Sequence, residues 1–471
     1  MNPFRLTLAA LALAAAFPAA QAADNDLKAL REEIARMRES YEKRIDKLEQ
    51  RLALAENTAG KAETTASQAE AAARAASQRP SSENAFNPGI SLILSGMATK
   101  LKVDPNANPY RITGFVPSMG EVAPPPRSFS IGESELVVAA NVDHTFRGYM
   151  ALALPPEEGA APQVEEGYIQ TLGLDNGLSL KAGRFLSGLG YMNEQHAHAW
   201  DFSDAPLAYK AFFGNQLRGD GVQLKWLAPT ETFLEFGVEA GRGGAFPSTD
   251  RNKNGFQTGT LFAHVGGDVG ISHSWRAGLS FMRTAPKDRE YADVDAAGTA
   301  TANRFSGRSK TWVADAVWKW APSGNSSERN LKLQGEYFRR TESGTLWTDA
   351  AACLLPGCQG DFSSRQSGWY GQAVYQFMPH WRVGYRYDRL STASLTNGLA
   401  TNPASGLTAA DFPVLADHKP KRNSLMVDWS PSEFSRLRFQ VARDESRLGL
   451  PDNQIWLHYI VSLGSHGAHK F

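Results

Sequence analysis

Cysteine is nearly absent from this chain, with 2 in 471 residues. Two thiols cannot staple a small disulfide-built scaffold. A charge excess of either sign is missing too, since 49 Lys+Arg face 49 Asp+Glu. That balance lacks the basic footprint of a nucleic-acid binder, and no nucleic-acid partner is expected. Long apolar runs are scarce. A spanning helix needs about 20 largely apolar residues, and the longest run, Leu6 to Pro18, falls short. Gly-x-Ser-x-Gly, His-Glu-x-x-His and the phosphate loop are all absent, so no enzyme is expected.

What is present begins with Arg5, the apolar run, and Ala20-Gln21-Ala22. This reads as a signal peptide over 1–22, cleaved before Ala23. An exported chain folds in an oxidising compartment, so Cys353 and Cys358, flanking Leu-Leu-Pro-Gly, are expected to form a disulfide.

Residues 23–57 are densely charged, with apolar positions at Leu27, Leu30, Ile34, Met37, Tyr41, Ile45, Leu48, Leu52 and Ala55. The steps are those of a heptad seam with one phase break between Tyr41 and Ile45. A narrow stripe on a polar helix is buried best against copies of itself, which predicts a periplasmic α-helical coiled coil. Residues 58–87 are an Ala-rich spacer ending at Arg79-Pro80-Ser81-Ser82.

From 88 to 471 the texture changes, and all 11 tryptophans lie there. Trp312, Ala314, Ala316, Trp318 and Trp320 alternate with Thr311, Val313, Asp315, Val317 and Lys319. Period-two patterning marks strands half in an apolar medium and half in water. Sixteen such runs can be counted, from Ile90–Leu101 to Gln454–Gly464. Runs ten to thirteen are Lys310–Ala321, Asn330–Arg340, Ser367–Pro379 and His380–Leu390. Links after even-numbered runs are short, and those after odd-numbered runs are mostly long. A transmembrane β-barrel segregates loop length in this way. Trp226, Trp320, Phe377, Trp381 and Trp429 collect beside the short turns, as an interfacial girdle does. Phe471 supplies a terminal aromatic. The expected fold is therefore all-β: a sixteen-stranded antiparallel transmembrane barrel over 88–471, seated in outer-membrane lipid and preceded by the signal peptide and coiled coil.

Sixteen strands enclose an aqueous channel. The inward parity places Lys181, Lys225, Arg276, Lys332, Arg382, Arg386, Arg436 and Arg438 on its wall. Glu235, Glu239, Asp315, Glu336 and Asp388 share it. Such rings bias which ions pass.

Ala182-Gly-Arg-Phe-Leu-Ser-Gly-Leu-Gly-Tyr191, the following His-Ala-His-Ala-Trp-Asp and the ending Ser462-Leu-Gly-Ser-His-Gly-Ala-His-Lys-Phe471 carry a resemblance. With the coiled-coil front, they resemble a family of proteobacterial outer-membrane porin-like proteins related to the phosphate-selective porins. Some of its members are labelled zinc-regulated or TonB-dependent receptors. The resemblance implies a homotrimer and a basic constriction. The span 88–471 is too short for the plug and roughly 22 strands of such receptors. Here Ser187–Arg218 departs from a basic constriction, with only Lys210 and Arg218 as cations.

In many sixteen-strand porins a long loop folds inside the barrel, and by that analogy the link after strand 5 narrows the pore. It is rich in Tyr191, Met192, Trp200, Phe202, Tyr209, Phe212 and Phe213, which a loop in water would not need. Glu194, His196, His198, Asp201, Lys210 and Arg218 are its candidate constriction residues. Glu194, His196 and His198 share one face of an extended backbone, whereas a helix would bring only Glu194 and His198 together; they could contact Zn²⁺ transiently, and no resident cofactor is expected. His466 and His469 form a second pair in the C-terminal tail.

The function expected is an outer-membrane porin, passing small hydrophilic solutes or ions by passive diffusion. Two alternatives stay open: a zinc-linked or divalent-metal-linked importer, and a structural tether reaching peptidoglycan through the coiled coil.

Overall fold

The computed structural model describes residues 35, 36, 38, 39, 42, 43, 88–116, 122–155, 159–248 and 254–464. The signal peptide, the spacer, most of the coiled-coil segment and the tail holding His466, His469 and Phe471 lie outside the described residues. The chain divides into two compact units, Met1–Ala85 and Phe86–Phe471. In the first, the described residues are helical. Exposed pairs one turn apart link Arg38 to Glu42 (3.2 Å) and Lys43 to Glu39 (2.7 Å). Each such pair contributes a few tenths of a kcal/mol, about 0.2–0.5.

The second unit is one antiparallel sheet closed on itself. Its first staves are β1 (Gly89–Leu101), β2 (Ser128–Ile131 and Ser134–Asn141), β3 (Phe146–Leu154) and β4 (Gln163–Thr171). Next come β5 (Leu178–Leu186), β6 (Arg218–Leu227), β7 (Phe233–Gly241) and β8 (Thr258–Val269). Then β9 (His273–Thr284 and Arg289–Val294), β10 (Ala300–Trp320), β11 (Asn330–Thr348) and β12 (Gln359–Met378) follow. The last are β13 (Trp381–Asn397), β14 (Lys421–Ser432), β15 (Ser435–Glu445) and β16 (Asp452–Gly464). The 18 strand segments make sixteen staves because β2 and β9 are each interrupted once. Closure pairs β1 with β16, from Ser91↔Gly464 to Leu101↔Gln454. A closed sheet has no unpaired edge, which hydrocarbon requires. Among the described residues no helix is long and apolar enough to cross a membrane.

The alternation does what the sequence predicts. Trp312, Leu279, Tyr385, Leu425, Phe439 and Leu457 remain roughly half exposed on the outside. Their neighbours Thr311, Ser280, Arg386, Ser424, Gln440 and His458 are buried inside. A continuous apolar exterior over a polar interior suits lipid outside and water within. At the short-link end Trp381 and Trp429 are in register, and Trp226 stacks on Phe236 with centroids 5.9 Å apart. The Trp226 indole donates to the Asn176 carbonyl (3.0 Å), so its polar edge leaves the apolar band.

Staves β10 to β13 differ from their expected bounds. They hold 21, 19, 20 and 17 residues, against the about 9–11 needed to cross a bilayer. Much of the sequence expected as long links after β9 and β11 is therefore strand. The outward face shows why. Trp312 is followed by Lys310, Tyr337 by Arg339, and Tyr387 by Arg389 at the next outward position. The aromatic-to-charged step ends the lipid band, and the hairpins continue into water beyond it. Cys353 and Cys358, in the link after β11, are bonded, with Cα atoms 5.9 Å apart.

Candidate channel lumen and its loop

The link after β5 lies inside the barrel. Its apolar residues are buried together: Leu189, Met192, Trp200, Leu207, Tyr209, Phe212 and Phe213. They pack on inward wall residues Met282, Val313, Phe338, Tyr370 and Leu390, and on Ile112 and Phe115 from the link after β1. Residues Leu207–Phe213 form a short helix, α1, which ends at Gly214 with φ 70°, the left-handed stop that glycine adopts freely. Tyr209 of α1 meets Phe338 edge-on, centroids 5.1 Å apart.

A loop in a closed space must find partners for its backbone. The Glu336 carboxylate accepts from the Tyr191 and Met192 N–H groups (3.2 and 3.1 Å) and from the hydroxyls of Tyr209 (2.9 Å) and Tyr370 (2.6 Å). The Asn193 amide donates to the Ser187 and Leu217 carbonyls (both 2.8 Å), while its oxygen accepts from Leu217 N–H (2.7 Å). Asn193 thus ties the two ends of the loop together.

Two aspartates fix the loop to the basic wall. Asp201 contacts Lys332 (3.0 Å), Arg382 (3.1 Å) and the Gln372 amide (3.0 Å). Asp204 contacts Arg386 (3.0 Å), Lys210 (3.2 Å) and Arg422. Burial opposes ionisation of both aspartates, but these cations outweigh it and hold each well below the usual carboxylate range. Burial pushes Lys210 down, partly offset by Asp204. Arg436 and Arg438 both donate to the Trp200 carbonyl (3.2 and 2.9 Å).

All eight predicted wall cations face inward, yet they meet protein rather than open water. Lys225 pairs with Glu194 (2.8 Å), and Arg382 with Asp428 (2.6 Å). Lys181 stands over the Tyr168 ring (4.5 Å), and Arg276 over Tyr191 (5.5 Å). The ion-paired charges present a weaker field to the lumen than their number suggests. A cavity of about 1220 Å³ lies beside the loop, bordered by Ser95, Met97, Ile131, Trp456 and His458 among others. Of the candidate constriction residues, His198, Lys210 and Arg218 border it. Glu194, His196 and Asp201 are occupied by wall contacts.

The expected grouping of Glu194 with the two histidines needs correction. Glu194 turns to Lys225, while His196 and His198 turn to carboxylates that sequence reading missed. His198 Nδ1 lies 3.1 Å from Glu135 Oε1, and His196 Nε2 lies 3.0 Å from Glu166 Oε2. Burial alone would lower the His196 pKa; Glu135, Glu165 and Glu166 overcome that and hold it well above the ordinary value.

The missed residues arrive through two β-bulges. In β4, Val164 pairs with Leu152 and Glu166 with Ala151, leaving Glu165 unpaired. Glu165 and Glu166 are both buried, while Val164 keeps an outward position. In β2, Ile131 pairs with Gly96 and Glu135 with Ile93, so β2 uses one residue more than β1. Gly132 sits at this interruption, where a Cβ would fall 2.2 Å from the Ser95 hydroxyl. Bulges re-aim side chains, and strict period-two reading cannot anticipate them. Adjacent Glu165-Glu166 was the available signal, because a regular strand would turn one of them toward lipid.

The fold and lumen define a sixteen-strand membrane barrel with an internal loop. No protein-family model matches the sequence. An uncharacterized protein of Aquifex aeolicus (strain VF5) is 29% identical over 418 residues, 83% of this chain and 81% of that one. Among solved structures, the trimer form of OmpT of Vibrio cholerae is similar at 11% identity and a TM-score of 0.48. The match covers 81% of this chain and 100% of that one. An anion-selective porin from Comamonas acidovorans is 11% identical, covering 80% of this chain and 100% of that chain, with a TM-score of 0.46. The outer membrane channel DcaP of Acinetobacter baumannii is 11% identical over 81% of this chain and 99% of that chain, with a TM-score of 0.47.

Proposed function

We propose that this chain is a bacterial outer-membrane porin that passes small hydrophilic solutes or ions by passive diffusion. The observation that carries the reading is the internal loop with a cavity of about 1220 Å³ beside it. A tethered loop that fills only part of a wide barrel narrows the path without closing it. Water passes along the cavity side, past His198, Lys210 and Arg218. Solute charge is then sensed at a few loop and rim groups, since the wall cations under the loop are engaged.

In this reading the short links face the periplasm, and so does the N-terminal segment. The family resemblance implies a homotrimer, and the heptad seam of residues 23–57 would join its protomers through a coiled coil that reaches toward peptidoglycan. Purified protein in planar bilayers, in chelated KCl and then in phosphate, provides the test. Stepwise conductance is expected, with larger steps once residues 191–213 are replaced by a short Gly-Ser link. A silent membrane from heat-modifiable, folded protein would remove the porin reading. Co-sedimentation with sacculi, lost on deleting 23–57, tests the peptidoglycan contact.

A further inference from the structure

The two bulges bring three buried polar atoms to one point. Glu135 is fully buried and Glu165 is 1% exposed. Glu135 Oε1 meets His198, and Glu165 Oε1 lies 3.4 Å from Arg218 Nη1. The remaining oxygens, Glu135 Oε2 and Glu165 Oε2, stand 3.0 and 3.4 Å from His196 Nδ1. None of these three atoms has an aligned hydrogen bond. On its far side, His196 Nε2 is within 3.0 Å of Glu166. In the metal-free chain the positive charge facing these two carboxylates is the imidazolium proton of His196; a cation bound there would take its place and release that proton.

The separations also suit a metal ion. With metal–ligand distances of about 2.0–2.2 Å, neighbouring ligand atoms stand about 3.0 Å apart in octahedral and about 3.4 Å in tetrahedral coordination. Those are the nitrogen-to-oxygen spacings found at His196 Nδ1. The Glu166–His196 contact supplies the outer carboxylate that orients a metal-binding imidazole. His198 Nδ1, 3.1 Å from Glu135, stands close enough to join.

We propose that Glu135, Glu165, His196 and His198 form a binding site for a divalent transition-metal cation of the zinc class, inside the barrel. Nitrogen with carboxylate oxygen suits Zn²⁺ better than Mg²⁺ or Ca²⁺, which favour all-oxygen shells. The site joins the internal loop to β2 and β4, so a bound ion cross-links the loop to the wall. The inference does not depend on the porin reading.

The test uses the purified full chain, stripped with a chelator and dialysed against ZnSO₄. One zinc per protomer is expected, with nitrogen and oxygen ligands by X-ray absorption. Glu165→Gln and Glu135→Gln, both close in shape to the parent, should weaken retention about tenfold or more. Glu166→Gln, at a residue that orients His196 without joining the ligands, should weaken it by about 10–100-fold with the ligand set unchanged. A His466→Ala/His469→Ala protein should bind as the parent does. Heat-modifiable migration reports folding, and a misfolded Glu135→Gln protein leaves Glu165→Gln to decide. No retained zinc, equal retention by folded Glu165→Gln protein, or equal retention of Ca²⁺ would overturn the proposal.

Discussion

Asp204, in the loop inside the barrel, contacts Arg386 of β13 at 3.0 Å and also reaches Arg422 of β14. One loop carboxylate thus neutralises guanidinium groups on two staves. Removing it by Asp204→Ala leaves both arginines buried without that partner. Breaking a buried ion pair from one side costs about 3–5 kcal/mol. The temperature at which the folded band is lost on gels should fall, and protease should cut the loop in otherwise folded barrels. An unchanged melting temperature and an uncut loop would show that Asp204 does not hold it.

The pH response follows from the same contacts. Asp201 and Asp204 sit well below the usual carboxylate range in the folded chain, and at about 3.9 when unfolded. A depressed folded pKa means that the unfolded state takes up protons first. The contribution is therefore complete above the unfolded value and is lost as pH falls toward the folded one. Loop protection, followed by hydrogen exchange of residues 200–213, should decline as pH falls below about 4, while His196, raised above its ordinary value of 6.5, withdraws its own contribution as pH rises above that value. Release of the loop between about pH 5 and 6 would contradict this.

The lipid face makes a different prediction. Leu457 of β16 is 45% exposed, while the adjacent His458 is buried inside. Arg in place of a lipid-facing residue near the midplane costs about 2–4 kcal/mol. Leu457→Arg should lower urea stability in lipid vesicles by that amount. If the outer surface faced water instead, the change would be within about 0.5 kcal/mol.

Much of the architecture was legible because alternation is a local property. The runs of β1, β5 and β16 fall within one or two residues of their strands, since each crosses the lipid band with little outside it. Staves β10 to β13 were harder, because outside lipid both faces turn polar and the alternation fades around Arg308 and Arg365. The internal loop was legible from its aromatics, but its partners were not. Glu336, and Asp388 through the Leu207 N–H it accepts (2.9 Å), serve it from far along the chain, and spacing carries no trace of that. Glu194 misled for a local reason: an extended backbone would align it with the histidines, but it sits in a turn closed by Gln195 N–H on the Met192 carbonyl (3.0 Å), which gives it another direction.

The bulge at Glu165 offers the sharpest separation of stability from site formation. Deleting Glu165 joins Val164 to Glu166, and the pairs Leu152↔Val164 and Ala151↔Glu166 then follow each other without an unpaired residue. Val164 stays outward and Glu166 stays inward, so regular alternation is restored. A bulge kept only by accident of packing would be neutral to lose, whereas one that re-aims a ligand is needed for binding. The shortened chain should fold and melt no lower than the parent, yet hold zinc about tenfold or more weakly. Lower stability with unchanged zinc retention would assign the extra residue to packing of β3 on β4 instead.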